Sequence, residues 1–202
     1  DAYIRGGAEM VRYLTGKGMS LVDAEWPDYH DELPGGRRSG RSLSAPLFDV
    51  NELGDWGPKL AQYRLTTDIP ICSPETVHLF VAKKTWKGKV TGLRIVWRML
   101  VKLIARKDLR GSGPAMMGRL FQLLFRTDTP LWLNTPVHDL PVEDGRVAGV
   151  VGKRDGKETR GRARLGVLVN AGGFSRNLQM REHYQPKPTS TEWTQVNPAD
   201  TG

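Results

Sequence analysis

The residues predict an α/β fold, and three features carry that expectation. A short valine-rich run, Leu165 to Val169, ends directly on glycines in "LGVLVNAGGFSRN", as a buried strand of a mostly parallel sheet does. Before it, "VHDLPVEDGRVAGVVGKRDGKETRGRAR" alternates strand-like runs with Asp144-Gly145 and Asp155-Gly156, both strong hairpin signals. Before that, "SGPAMMGRLFQLLF" places Met116, Leu120, Leu123 and Leu124 on one helical face. A helix, a β-meander and a buried strand ending in glycines together make a cofactor-domain pattern.

Taken in order, residues Tyr3 to Leu14 predict a helix with Ile4, Ala8, Val11 and Leu14 on one face, ended by Gly16 and Gly18. From Glu25 to Pro58, so many prolines and glycines forbid a long helix or a central strand. Yet Trp26, Tyr29, Leu33, Leu43, Leu47 and Phe48 are too many large side chains for a disordered linker. The expectation is an ordered, irregular segment, the kind of place where function often sits.

Residues Val90 to Lys107 predict the long helix. Arg94, Arg98, Lys102 and Arg106 recur every four residues along one slowly drifting stripe, and Leu93, Val96, Trp97, Leu100, Leu103 and Ile104 fill the rest. Two readings stand: a cap helix with a solvated basic face, or a helix lying on an anionic membrane surface with Trp86 and Trp97 near the headgroups. In "RGSGPAMMGRLF" the third glycine, Gly118, follows Gly113 by five residues, and a charged segment precedes it. That spacing is not a dinucleotide fingerprint. Ser112 capping a helix with Pro114 in its early turn accounts for the phrase better. "LWLNT" then predicts a short strand ahead of the meander.

Composition narrows the function classes. The chain has 202 residues, 39% of them hydrophobic, with 23 glycines and 13 prolines. It begins without methionine and stops at "NPADTG", so a piece of a larger protein is expected. No apolar segment approaches the ~20 residues of a membrane-spanning helix. Cys72 is the only cysteine, so no internal disulfide can form and a reducing, cytoplasmic compartment is the simpler expectation. Ten of the 30 basic residues behind the +8 net charge fall between Lys83 and Arg110. They carry neither zinc-finger spacing nor base-stacking aromatics, so no nucleic-acid partner is expected. His30, His78, His138 and His183 lie far apart, and no metal site is expected.

The glycines at 172 and 173 admit two readings. They supply unusual backbone angles for a tight strand-to-helix turn, or they let something approach the backbone where a side chain would be in the way. A family resemblance bears on the choice. "TPVHDLPVEDGRVAGVV", "RARLGVLVNAGGFSRN…MREHY" and "NPADTG" resemble the FAD-binding domain of the fumarate reductase and succinate dehydrogenase flavoprotein superfamily. "AYIRGGAEMVRYL", "WPDYHDELPGG", "GRSL" and "GPAMMGRL" resemble its 3-ketosteroid Δ1-dehydrogenase branch. The likeness covers the chain in order, apart from Asn51 to Leu109.

The resemblance implies an incomplete Rossmann-like FAD-binding domain with a β-meander and helical insertions. Residues 1–202 would be its central part, lacking the N-terminal dinucleotide loop and the C-terminal catalytic or cap segments. Residues 1–110 would form a helical and irregular substrate side, and 111–202 the helix, meander and flavin-proximal strand. It implies FAD contacts at Ala171, Gly172 and Gly173, a backbone contact to the adenine at Val137, and contacts at Thr201 and Gly202. It makes Tyr29 a catalytic residue that works with a second tyrosine from the catalytic domain to remove a proton next to a carbonyl, while the flavin takes a hydride from the neighbouring carbon. A phenol of ordinary pKa about 10 needs a partner and a dry pocket for that task. The alternative role for Tyr29 is an aromatic that holds the irregular loop together.

The expected activity is therefore FAD-dependent oxidation or reduction of a CH–CH bond beside a carbonyl, on a small, apolar, 3-ketosteroid-like substrate. The fragment alone is expected to be inactive. "PGGRRSGRS" and the basic helix depart from the steroid enzymes. The rivals are a fumarate-reductase-like enzyme acting on a small unsaturated carboxylate, and a non-catalytic basic module on membranes or acidic partners.

Overall fold

The structure is a computed structural model that describes residues 1–60 and 69–202. It divides into two compact units, Asp1–Pro130 and Leu131–Gly202.

The first unit opens with α1 (Ala2–Gly16), whose chain leaves through Gly18 at φ +96°, a region glycine enters without strain. Short strands follow from the breaker-rich segment: β1 (Val22–Asp23) pairs antiparallel with β2 (Leu43–Ser44). β3 (Phe48–Asp49) leads into a 3-10 segment, Val50–Lys59, kinked at Gly54. The segment is ordered and irregular, as its aromatics and breakers together require. Two helices follow, α2 (Ser73–Phe80) and α3 (Trp86–Ile104), packed on one another. β4 (Leu109–Arg110) pairs with β3, and α4 (Ser112–Phe125) closes the unit.

Its core is small. Ala45, Phe48, Val50, Leu53, Leu60 and Ala115 are buried together, with Trp56, Met116, Phe121 and Phe125 packed around them. Within α4, small residues face this core: Ala115 is fully buried, and a Cβ on Gly118 would overlap the Phe48 ring. The expected capping role of Ser112 does not hold. Gly111 occupies the cap position without a side-chain cap, and Ser112 is the first helical residue, at φ +51°. A Cβ at 111 would overlap the Ile71 carbonyl, so the approach of that backbone places glycine there.

Helix α3 starts and ends earlier than its periodicity predicts, because Thr85 caps it by accepting the Gly88 N–H at 3.1 Å. Its expected solvated basic face is only partly solvated, since Arg94 and Arg106 are exposed while Arg98 and Lys102 turn inward. The buried residues are Gly88, Thr91 and Ile95. Arg98 is tied to Glu75 of α2 at 2.6 Å and Lys102 stands 3.7 Å from Asp108. An apolar stripe also faces outward, with Leu93, Trp97, Leu100, Leu103 and Ile104 all exposed. Glycine lets α3 approach α2 closely: a Cβ on Gly88 would stand 2.7 Å from the His78 carbonyl.

The second unit is built on a three-stranded antiparallel sheet in the order β5 (Val137–Asp139), β8 (Gly149–Arg154), β9 (Lys157–Arg162). A small hairpin, β6 (Val142–Glu143) with β7 (Arg146–Val147), lies between β5 and β8 in the chain. Both Asp-Gly pairs form the expected turns. Asp144, Gly145, Asp155 and Gly156 all take positive φ, the geometry of the tight turn whose twist matches the strands. Helix α5 (Leu178–Tyr184) follows, capped by Asn177, whose side chain accepts the Met180 N–H at 3.0 Å.

Two expected strands are absent. Residues 131–135 form no strand, and the first pairing begins at Val137. Leu165–Val169 is neither a strand nor buried here: Leu165 is 94% and Leu168 92% exposed. A parallel strand exists only through its neighbours, and every strand pair among the described residues is antiparallel. The α/β composition holds, whereas the Rossmann-like arrangement finds no parallel pair among these residues.

Candidate cofactor-binding loops

In the second unit, two stretches whose paired residues lie 20 to 24 positions apart in sequence come together. The Arg176 N–H donates to the Asp200 carbonyl at 2.8 Å, and Asn177 Nδ2 donates to the Thr201 carbonyl at 2.9 Å. Arg176 Nη2 reaches the Val196 carbonyl at 3.0 Å. These bonds seat the "AGGFSRN" loop against "NPADTG", so five of the six expected cofactor contacts lie in adjoining loops: Ala171, Gly172, Gly173, Thr201 and Gly202.

Each glycine in this cradle has its own reason. Gly172 sits at φ +75°, and a Cβ there would stand 2.7 Å from Asp200 Oδ1. Its missing side chain makes room for the chain's own carboxylate. Gly202, at φ +87°, would meet Met180 Sδ at 2.5 Å. Gly173 differs, since a Cβ there would face open space. At this position the backbone is open, while Gly172, at positive φ, takes the backbone angle of the tight turn.

Behind the loops, Arg181 ties the region together. Its Nη1 donates to Thr194 Oγ1 at 2.8 Å and to the Ser175 carbonyl at 3.3 Å, and its Nε donates to Gln185 Oε1 at 2.9 Å. Arg176 Nε is buried without a hydrogen-bond partner. A buried donor left unpaired costs free energy that a ligand oxygen or water would recover. Val137, the sixth residue, lies apart on β5, an edge strand, with its side chain about half exposed. The far side of that strand's backbone has no strand partner among the described residues.

Tyr29 belongs to the first unit, in the irregular segment, and its ring is fully exposed. Asp28 beside it shapes the local turn: it accepts the Arg37 N–H at 3.0 Å and pairs with Arg41 at 3.2 Å. That unit also holds a cavity of about 580 Å³ between α2 and α3. In it Glu75 is buried and accepts from Arg98 and from the Cys72 N–H at 3.2 Å. Burial pushes the Glu75 carboxyl up, but the bonds from Arg98 and Cys72 outweigh it and hold the group below the usual carboxylate range. Burial, reinforced by Glu75, pushes the Cys72 thiol up to about 11. No group of three His, Cys, Asp or Glu side chains gathers as a metal site among the described residues.

The whole chain, residues 1–202, matches the FAD binding domain family. It belongs to that family. The cofactor of this FAD-binding domain is FAD, and the fit of the loops can be judged on the residues themselves. An open glycine backbone at 173 and the unpaired buried Arg176 Nε offer places for a cofactor oxygen, beside the Asp200 carboxylate that sits against Gly172. The residues fit.

Relatives refine the picture. The chain is 35% identical to 3-oxosteroid 1-dehydrogenase of Mycobacterium tuberculosis (strain ATCC 25618 / H37Rv), over all of this chain and 38% of the relative. It is 30% identical to 4-oxocyclohex-2-ene-1-carboxylate 5-dehydrogenase of Sinomonas cyclohexanicum, over 79% of this chain and 28% of the relative. Its fold matches the crystal structure of 3-ketosteroid Δ1-dehydrogenase from Sterolibacterium denitrificans in complex with 1,4-androstadiene-3,17-dione. The TM-score is 0.87 at 35% identity, covering all of this chain and 38% of that one. The chain thus spans less than two-fifths of the curated relatives' length. What the match shows for this chain is the FAD-binding domain.

Arg176, Asn177 and Asp200 stand in the matching phrases of the sequence, which by themselves assign them no role. Their legible signal was Asn177 at a helix start and a charged pair flanking two glycine loops. Which side chains would meet across the loops was not legible from local pattern.

Proposed function

We propose that this chain is the central part of the FAD-binding domain of a dehydrogenase that forms a carbon–carbon double bond next to a ring carbonyl, on an apolar 3-ketosteroid-like substrate. Residues 1–110 lie on the substrate side and 111–202 on the flavin side. The observation that supports it most is the likeness of the whole chain to 38% of the steroid-bound structure. The two relatives named above agree on chemistry, since both names pair a ring ketone with dehydrogenation.

When bound, FAD supplies the hydride acceptor. The chain's own residues hold the cofactor and handle the proton. Ala171, Gly173, Thr201 and Gly202 present backbone and hydroxyl groups to the cofactor, and Gly172 closes the loop against Asp200. Val137 offers edge-strand backbone to the adenine. Tyr29 Oη takes the proton from the carbon beside the carbonyl, with a partner tyrosine from the remainder of the protein. Its full exposure speaks against a packing role within its own unit, and the dry pocket the phenol needs would come from the remainder of the protein.

The test uses the full-length flavoprotein. Tyr29→Phe keeps the ring and removes the hydroxyl, and general acid–base groups contribute about 10²–10⁴-fold. A fall of that size in the rate of flavin reduction by a 3-ketosteroid is expected, with FAD content and melting temperature unchanged. A Phe variant that reduces its flavin at the original rate removes Tyr29 from the reaction.

A second reading concerns α3. Its outward stripe of Leu93, Trp97, Leu103 and Ile104 supports peripheral contact with a membrane through the Val90–Lys107 region. No helix among the described residues is long and apolar enough to cross one.

A further inference from the structure

A side chain on an exposed, irregular segment ordinarily samples many positions, yet the loop that carries Tyr29 is closed on itself. Asp28, the residue before it, makes the closure. Its N–H donates to the Arg37 carbonyl at 2.9 Å, and its Oδ2 accepts the Arg37 N–H at 3.0 Å. The same Oδ2 stands 3.2 Å from Arg41 Nη1, while Arg41 Nη2 donates to the Gly35 carbonyl. Backbone, carboxylate and a bridging guanidinium thus all bind Asp28 to the far end of the loop.

Inside this closure the chain has little freedom. The Gly36 N–H donates to the Leu33 carbonyl at 2.8 Å, and the Leu33 N–H to the His30 carbonyl at 3.3 Å. Gly35 takes φ +89°, and a Cβ on Gly36 would overlap the His30 carbonyl. Pro27 and Pro34 fix φ at two more positions. The loop's other charged groups pair among themselves, Arg38 with Asp31 at 3.4 Å and His30 with Glu32 at 3.2 Å. Holding such a loop in one shape has an entropic cost, and the fully exposed Tyr29 ring returns no packing within the unit to offset it. What the closure does secure is the place of the Tyr29 backbone.

We propose that Asp28 is a positioning residue for the dehydrogenation: tied to Arg37 and Arg41, it fixes the backbone from which Tyr29 presents its hydroxyl to the substrate. The proposal rests on the reading of Tyr29 as the proton-abstracting group. Proton transfer needs heavy atoms within about 3 Å of each other, and a displacement of about 1 Å can cost about 100-fold in rate. Loosening the loop therefore lowers kcat far more than it raises KM, because Tyr29 acts in the transition state.

The test is a double-mutant cycle in the full-length flavoprotein, read as the rate of flavin reduction by a 3-ketosteroid. Asp28→Ala should slow that rate about 10- to 100-fold, with the half-saturating steroid concentration changed less than about threefold. Asp28→Asn keeps an oxygen for the Arg37 N–H and should restore most of the lost rate. In a Tyr29→Phe background Asp28→Ala should cost almost nothing more, because a residue that acts through Tyr29 has nothing left to position. A residue needed only for folding would slow both backgrounds by the same factor. The proposal is overturned by an unchanged rate in Asp28→Ala, by equal losses in the two backgrounds, or by no rescue in Asp28→Asn. Should Asp28→Ala lose its FAD or fail to fold, Arg41→Gln, at a half-exposed position, takes its place in the cycle. An additive loss there, or none, overturns the proposal equally. The two readings fail separately. Tyr29→Phe at the original rate removes the proton role of Tyr29 and this proposal with it, whereas a slow Tyr29→Phe beside a fast Asp28→Ala removes the positioning alone.

Discussion

Glu75 shows how one residue sets local behaviour in the first unit. It is 7% exposed, its N-terminal neighbour Cys72 donates both N–H and thiol to it, and Arg98 reaches it from α3. Burial opposes its charge, yet these bonds prevail and lower its pKa. A carboxylate whose folded pKa is depressed adds stability above its unfolded pKa, and that stability is lost as pH falls through the folded value. Acidification below the usual carboxylate range should therefore lower the melting temperature. Glu75→Gln should cost about 3 kcal/mol at neutral pH, as removing one partner of a buried pair does, and should flatten the acid limb. Thermal unfolding of the full-length protein from pH 7 to pH 3 measures both. An unchanged acid limb in the variant would assign the transition to other carboxylates, with Asp108 next in line, since the bond from Arg110 lowers its pKa too. The same geometry makes Cys72 a poor nucleophile. With its pKa near 11 it stays a thiol at neutral pH, and only the thiolate attacks.

At the level of elements, what was legible in the sequence depended on whether the signal was local. Asp144-Gly145 and Asp155-Gly156 were readable because a two-residue turn at positive φ is specified by its own residues. Helix α1 and the existence of α3 and α4 were readable from period and breakers. The orientation of α3 was not. Periodicity marks two faces but assigns burial to the apolar one, and here the close approach of Gly88 to α2 turned Arg98 and Lys102 inward. Helices α2 and α5 escaped notice because eight and seven residues are too few for a periodic signal. The exposed apolar stripe of α3 carries a prediction. If it meets a membrane, its hold comes from the apolar stripe, because Arg98 and Lys102 are engaged within the protein. Changing Leu93, Trp97 and Leu103 together to glutamine should abolish sedimentation with anionic vesicles. Because all three are exposed, circular dichroism and melting temperature should hold. Sedimentation kept by the triple variant would take the membrane reading away from this helix.

For the molecule as a whole, the decisive tension is Leu165–Val169. Composition says buried parallel strand, yet in this chain the run is exposed and unpaired. Apolar burial contributes about 25 cal/mol per Å², so leaving Leu165, Leu168 and Val169 in water is a cost that paired neighbours would remove. The chain spans 38% of the 3-oxosteroid 1-dehydrogenase relative, so a full-length protein has sequence from which neighbouring strands can come. The loop proposed to meet the cofactor starts just after this run, at Ala171. Its backbone can hold a fixed position against FAD only if the strand before it is itself fixed. Hydrogen exchange on amides 165–170 tests the link. In residues 1–202 alone they should exchange at rates near those of an unstructured peptide, and FAD should bind weakly. In the full-length flavoprotein they should be strongly protected, because an amide exchanges slowly only when its hydrogen bond must first open. Removing FAD should then loosen residues 171–173 more than 165–169, since the strand is held by its neighbours and the loop by the cofactor. Fast exchange at 165–170 in the full-length protein would mean that this run pairs with nothing, and the α/β sheet expected from its valines would have to be withdrawn.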